Sequence, residues 1–380
     1  MGVLYYNLDI YHLQKKLNFK KFSIRLLIKE ILKKLLFFKI FLITKFPKQT
    51  NTPKIFYGGS RSGNIGGPLV KIKKLKELFP EYKYRFNILY AISSNYLLSE
   101  KTIKILKSNN FPIILNQNGV FYPAWFKGNY QKMNLINKIL YHSADYVFWQ
   151  SEFCKKASDK FLGQRRGSGE ILYNAVNTDI FKPILKTNNN FNFLITGNIS
   201  NNNNYRISSV LKALIDVLKY EPKANLIIAG NIHDKKSLVL KALNLGIINN
   251  VKFLGKFTQN DAPKIYQMAD AYITLTYQDN CPTAVIEAMS CGLPILYSAS
   301  GGIPEIVDKN SGIGLKVDTS WESIQIPDSK DISKGMINIL KNKNKMSEFS
   351  RKRAIEKFDI KYWNKRHTHI FNYYLRRFIE

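Results

Sequence analysis

The second half of this chain alternates short apolar runs with helical periodicity, and that alternation leaves few folds open. Runs at 193–196, 226–229, 251–254, 271–276 and 295–298 are interleaved with helical patterns near 207–220, 235–245, 261–268 and 282–290. Strands that are apolar throughout are buried on both faces, and a helix between successive strands returns the chain so that each starts in parallel. The pattern predicts a parallel, doubly wound α/β sheet. Runs at 54–57, 86–91, 112–115 and 145–150, with a helix near 100–107, repeat the arrangement earlier in the chain. Ser143, Ala144 and Asp145 introduce one run much as Met268, Ala269 and Asp270 introduce another, so two similar α/β halves are expected. A length of 380 residues suits two domains.

In such sheets ligands bind at the C-terminal edge of the strands. Residues 277–307 place an unusual set of groups there. Asp279 follows the run at 271–276, and Pro282 suits the first position of a helix. That helix, to about Ser290, is apolar and small (Ala284, Val285, Ile286, Ala288, Met289), yet Glu287 sits inside it. A carboxylate in such a place needs a partner. Asp279 lies in the loop where the free N–H groups around Pro282, Thr283 and Ala284 can meet an anion. An ordinary strand–helix–strand unit with one solvated Glu is the plainer alternative; two acids, a helix N-terminus and the loop at Gly301 and Gly302 favour a ligand site.

The stretch resembles the acid–seven residues–Glu motif of the retaining glycosyltransferases of family 4. The resemblance covers residues 55–380 and implies an α/β chain of the GT-B fold. Two Rossmann-like doubly wound parallel-sheet domains then face a cleft, with a basic amphipathic helix added at the N-terminus. The domains are expected at 55–184, on the acceptor side, and 185–360, binding the nucleotide-sugar. The helix at 361–380 crosses back to the first. By resemblance Glu287 holds the ribose of a nucleoside-diphosphate sugar and Asp279, one carbon shorter than the usual Glu, contacts the donor sugar. The glycine-rich loop 58–68 has neither a P-loop ending nor dinucleotide spacing. Its Gly66 and Gly67 match a family loop beside the cleft, and a flexible connector is the alternative. Asn118 stands where many relatives have a His, which leaves hydrogen bonding in place of base work. Phe121, Tyr122 and Trp125 nearby are either core or an acceptor platform.

A departing diphosphate needs cations or aligned N–H groups. The family supplies an Arg and a Lys after the first strand of the second domain. Here that loop runs from Gly197, with Asn198 at the Arg position and Arg206 near the Lys position. Arg206 is the candidate diphosphate ligand, with Gly197, Asn198 and the N–H groups at Pro282, Thr283 and Ala284. No Asp-x-Asp occurs, so no metal or other cofactor is expected. Asn118, Asn198 and Ala175, which replaces a family Gly, also allow a catalytically weakened paralogue acting as a membrane-bound partner protein. A different nucleotide-sugar enzyme such as an epimerase is a further alternative.

The net charge is +31, mostly Lys amid abundant Asn and Ile, and no nucleic-acid motif accompanies it, so no nucleic-acid partner is expected. Residues 1–54 carry twelve Lys and Arg against Asp9 and Glu30. Ile24, Leu27, Ile28, Ile31, Leu35, Phe38 and Leu42 recur at helical spacing, with uncharged stretches too short to span a bilayer. A helix lying in an anionic membrane surface through residues 13–46 is expected, or else a helix packed on its own domain. His367 and His369 fall on different helix faces and read as packing or surface residues. Three cysteines, with no metal-ligand pair and no secretory leader, point to a reducing cytoplasmic setting at the inner membrane face.

Overall fold

The computed structural model describes residues 27–45, 50–63, 67–93, 95, 97–185 and 190–377. It contains two parallel sheets. The first has β1 (Ile55–Phe56), β2 (Ile88–Ile92), β3 (Ile113–Gln117), β4 (Tyr146–Trp149) and β5 (Ser168–Ile171) side by side in chain order. The second has β6 (Asn192–Ile199), β7 (Asn225–Ile232), β8 (Val251–Gly255), β9 (Ala271–Thr274), β10 (Ile295–Ser298) and β11 (Gly312–Leu315), in the order β11-β10-β9-β6-β7-β8. β2, β3, β4, β9 and β10 are buried along their whole length, which is why their apolar runs stand out in the sequence. β5 and β11 were not anticipated. Both lie at sheet edges and are half glycine or polar, so neither forms an apolar run.

Helices cover both sheets: α1 (residues 27–45), α2 (Gly67–Leu78), α3 (Glu100–Ser108), α4 (Tyr130–Ser143), α5 (Glu152–Leu162), α6 (Tyr205–Tyr220), α7 (Lys235–Asn244), α8 (Ala262–Gln267), α9 (Thr283–Ser290), α10 (Ile303–Ile306), α11 (Ser329–Phe358) and α12 (Ile360–Arg377). The second-half elements stand where the alternation put them, to within three residues at each end. Two helical patterns in the sequence, near 332–340 and 345–357, are one continuous helix, α11; of the polar residues between them Lys343 pairs with Asp270 (2.8 Å) and the others face solvent. The expected hinge at 187–190 has only Asn190 among the described residues.

α12 crosses back to the first sheet as anticipated, burying Trp363, Phe371 and Tyr374 against Tyr57, Tyr90 and Phe148. The crossing is fixed where Val176 N–H donates to the Phe358 carbonyl (3.0 Å) and Ile360 N–H donates to that of Val176 (2.9 Å). His367 is fully buried there. Its Nδ1 lies 2.8 Å from the Trp363 carbonyl, which can only accept, so Nε2 accepts from the Tyr90 hydroxyl at 2.9 Å. Burial pushes its pKa down to about 3, which keeps the ring neutral. His367 is a packing residue and His369 a surface one.

Of the predicted N-terminal helix, residues 27–45 are helical, while Ile24 and the rest of the expected contact segment lie outside the described residues. α1 is apolar on two sides. Leu36, Ile40 and Thr44 are buried on the first domain, with Ile40 completely inaccessible. Leu35 and Phe38, each 60% exposed, continue a second stripe with Ile28, Ile31 and Leu42. Among the described residues no helix is long and apolar enough to cross a membrane.

Candidate active site

The order of the second sheet reverses between β6 and β9, and a crevice opens beyond the C-terminal ends of strands at such a reversal. Asp279 follows β9, and Arg206, in the first turn of α6, follows β6. A side chain at Gly197 would put its Cβ 3.6 Å from the Arg206 guanidinium. Burial pushes the Asp279 carboxyl up in pKa, and the charge of Arg206 and the N–H groups of Cys281 and Asn280 pull against that shift. The residue before it, Gln278, is held at φ +53°, a left-handed conformation costly for a non-glycine residue.

Glu287 projects from α9 into the buried space expected of it. It has the partners that its position demands. Gln259 Nε2 donates to one carboxylate oxygen (2.7 Å) and the Tyr266 hydroxyl to the other (3.0 Å). Burial still raises its pKa, opposed first by the charge of Lys74. Pro282 is the N-cap of α9 rather than its first helical residue, so Thr283 and Ala284 open the helix with N–H groups free of helical partners.

Lys74 comes from the other domain, and with it comes a group that the sequence reading missed. α2 contains Lys71, Lys73, Lys74 and Lys76, which look like a solvated face in sequence. Lys71 instead turns inward, donating to Asn116 Oδ1 (3.0 Å) and Asn118 Oδ1 (3.2 Å). Burial lowers its pKa to about 8. The only cue in the sequence was the three-residue spacing of Lys71 and Lys74 just after the glycine loop.

Asn118 also receives Gln150 Nε2, and its own N–H donates to Ser93 Oγ (3.0 Å). Its Nδ2 is buried without a partner, as are Gln117 Oε1, Gln278 Oε1 and Arg206 Nε. Buried polar atoms without protein partners on both sides of one interface are groups that a polar ligand can satisfy. Asn198 is not gathered in. It is exposed and its Oδ1 accepts from Asn231 Nδ2 (2.8 Å) and pairs with His233 Nε2 (3.1 Å). Gly67 opens α2 in free space, and Gly66 lies outside the described residues. Tyr122 is core, while Trp125 stacks on Phe121 (5.0 Å) and stays half exposed.

The two halves touch at several points around this set. Glu305, in α10, accepts from the N–H groups of Glu152 (2.7 Å) and Phe153 (2.8 Å) at the start of α5, and from the Tyr173 hydroxyl (3.1 Å). Trp321 packs among Tyr122, Phe153 and Phe161, and its carbonyl accepts from Ala124 N–H (2.9 Å). At Gly302 a Cβ would come within 2.7 Å of Ser151 Oγ and 2.0 Å of the Asn280 carbonyl, so only glycine admits this approach. Cys154 and Cys281, both buried and unbonded, lie near Lys71.

Cations, carboxylates and a cleft between the two halves now stand together, and the chain can be compared with known proteins. Residues 176–356 match the family of glycosyl transferases group 1. The N-acetyl-alpha-D-glucosaminyl L-malate synthase of Bacillus anthracis is 26% identical over 156 residues, which are 40% of this chain and 38% of that one. A GDP-mannose-dependent monoacylated alpha-(1-6)-phosphatidylinositol monomannoside mannosyltransferase of Corynebacterium glutamicum is 29% identical, covering 28% of this chain and 29% of its own. The chain thus spans less than two fifths of the length of these curated relatives. The crystal structure of Anabaena HepE in complex with UDP and glucose superposes with a TM-score of 0.59 at 18% identity, covering 80% of this chain and 81% of that one. That likeness and the two parallel sheets establish the fold as GT-B. The group 1 match takes in all of β6 to β11, with Arg206, Asp279 and Glu287. Lys71, Lys74 and Asn118, from the other half, lie outside it.

Proposed function

We propose that this protein is a retaining, metal-independent glycosyltransferase. It moves a sugar from a nucleoside-diphosphate sugar to a lipid-linked or surface-polysaccharide acceptor, at the inner face of an anionic membrane. The observation that carries this reading is the meeting of Asp279 and Glu287 with Arg206, Lys71 and Lys74 between the two sheets. Glu287, fixed by Gln259 and Tyr266, keeps lone pairs for ribose hydroxyls, and Asp279 is placed for the donor sugar. When the bond from the sugar carbon to the diphosphate oxygen breaks, the electron pair leaves with the diphosphate. Arg206, Lys71 and the N–H groups of Thr283 and Ala284 hold the charge that appears there. These cations supply what a divalent metal supplies elsewhere. The acceptor hydroxyl bonds to the sugar carbon on the face the diphosphate leaves, and its proton goes to the departing phosphate oxygen. Asn118 serves as a hydrogen-bonding group and takes no proton.

The experiment that tests this is thermal stabilisation and slow hydrolysis across a panel of nucleoside-diphosphate sugars, with and without chelator. One donor is expected to raise the melting temperature and to be hydrolysed slowly in both conditions. A chelator-sensitive response ends the metal-free reading, and no response to any donor turns the protein into a non-catalytic partner.

Membrane placement rests on the exposed stripe of α1, flanked by Lys29, Lys33, Lys34 and Lys45. Each large apolar side chain entering the interface contributes about 1.5–3 kcal/mol. The double substitution Phe38→Glu and Leu42→Glu is therefore expected to weaken binding to phosphatidylserine-containing vesicles at least tenfold. The melting temperature stays put, because the core-facing Leu36 and Ile40 are untouched. Binding equal to that of the parent protein in a flotation assay removes α1 as the anchor.

A further inference from the structure

A cavity of about 680 Å3 lies between α1, the glycine loop after β1 and the loop after β2. Its apolar wall includes Ile28 and Leu32 of α1, Leu69 of α2 and Leu97. Two cations, Lys29 and Arg61, are also in the lining, which among the described residues contains no acidic one. Ser60 Oγ, also in the wall, is buried with no hydrogen-bond partner. The volume falls in the range of about 300–1,000 Å3 typical of small-molecule sites. The cavity is built, not incidental. Gly59 sits at φ +77°, and a Cβ there would press on Leu97 at 3.2 Å and approach Leu36 of α1 at 3.9 Å, so the loop and the N-terminal helix close on each other through a glycine.

The cavity joins two features already described. On one side Ile28 belongs both to its wall and to the exposed stripe of α1, so the wall is continuous with the surface assigned to the membrane. On the other, Pro68 and Leu69 lie in the first turn of the helix that carries Lys71 and Lys74 into the cleft, about 3–9 Å further along at 1.5 Å per residue. Ile92 and Asn95 flank Ser93, which accepts from Asn118.

We propose that this cavity holds the lipid end of the acceptor: a phosphate group joined to an aliphatic chain. The chain lies against Ile28, Leu32, Leu69 and Leu97, and the phosphate meets Lys29, Arg61 and the free Ser60 hydroxyl. The saccharide beyond the phosphate then points along α2 towards the donor. This assignment rests on the transferase reading for the word acceptor, and its ligand chemistry can be tested apart from it.

The probe is decyl phosphate below its micelle concentration, titrated calorimetrically into the full chain, with inorganic phosphate and decyl maltoside as controls. Leu32→Trp fills the apolar wall, and Arg61→Glu, at an exposed rim position, reverses the charge. Decyl phosphate is expected to bind the parent protein, with at least tenfold weaker binding in each variant and at least tenfold weaker binding of either control. Equal binding by all three proteins overturns the proposal. So does inorganic phosphate or decyl maltoside binding as tightly as decyl phosphate, or no binding of decyl phosphate at all. A ligand-free melting temperature unchanged in both variants shows that they are folded. If decyl phosphate behaves as expected while no donor stabilises the protein, the lipid-phosphate site stands and the transferase reading falls.

Discussion

Replacing Glu287 by glutamine is expected to weaken nucleotide-sugar binding by about 10²–10³-fold while leaving the protein as stable as before, or more so. The loss follows from what the carboxylate does. Its two oxygens already accept from Gln259 and Tyr266, and in the proposed complex their remaining lone pairs accept from ribose. Hydrogen bonds to a charged group are worth about 1.5–3 kcal/mol each, and losing two towards the lower end of that range produces an effect of this size. The gain in stability follows from the sign of the pKa shift. Burial raises the Glu287 pKa in the folded protein, so the fold favours the protonated form. The associated stability is present below the unfolded pKa and lost as pH rises through the folded value, which leaves a buried charge at neutral pH. Glutamine removes that charge and keeps the shape. Calorimetric titration of the donor, read beside the melting temperature, checks both halves. A variant that binds donor normally would falsify the ribose role.

Lys71→Met is expected to lower kcat by about 10²–10³-fold, the usual cost of removing one group that stabilises developing negative charge. A pH profile separates this role from a structural one. Burial brings Lys71 down to about 8, so it is charged at neutral pH and loses its proton as pH rises through that value. kcat/KM for the donor reports the free protein. It should therefore fall above about pH 8 in the parent, while Lys71→Arg, which keeps its charge, holds its rate across that range. If the high-pH limb persists unchanged in Lys71→Arg, the cation at the diphosphate is another residue.

The doubly wound sheets were legible because their central strands are buried on both faces and therefore apolar from end to end. Edge strands β5 and β11 were hidden for the converse reason: few apolar side chains are needed there. Asp279 and Glu287 could be read because each breaks a local rule, one by strand-edge position and one by sitting in an apolar helix. Lys71 and Lys74 break none. A lysine among lysines on a short helix carries no mark of direction, and only packing of α2 between the glycine loop and β3 turns two of them inward. Asn198 failed in the opposite way. Its position along the chain suggested a ligand, yet at the end of β6 it turns outward to Asn231 and His233.

Glu305 caps the start of α5 from across the cleft, and Trp321 is wedged among three aromatic rings of the facing half. Neither side chain is among the groups assigned to donor or acceptor, yet both join the two halves beside the cleft. A carboxylate and an indole that have no part in choosing the sugar thus tie the two halves to each other.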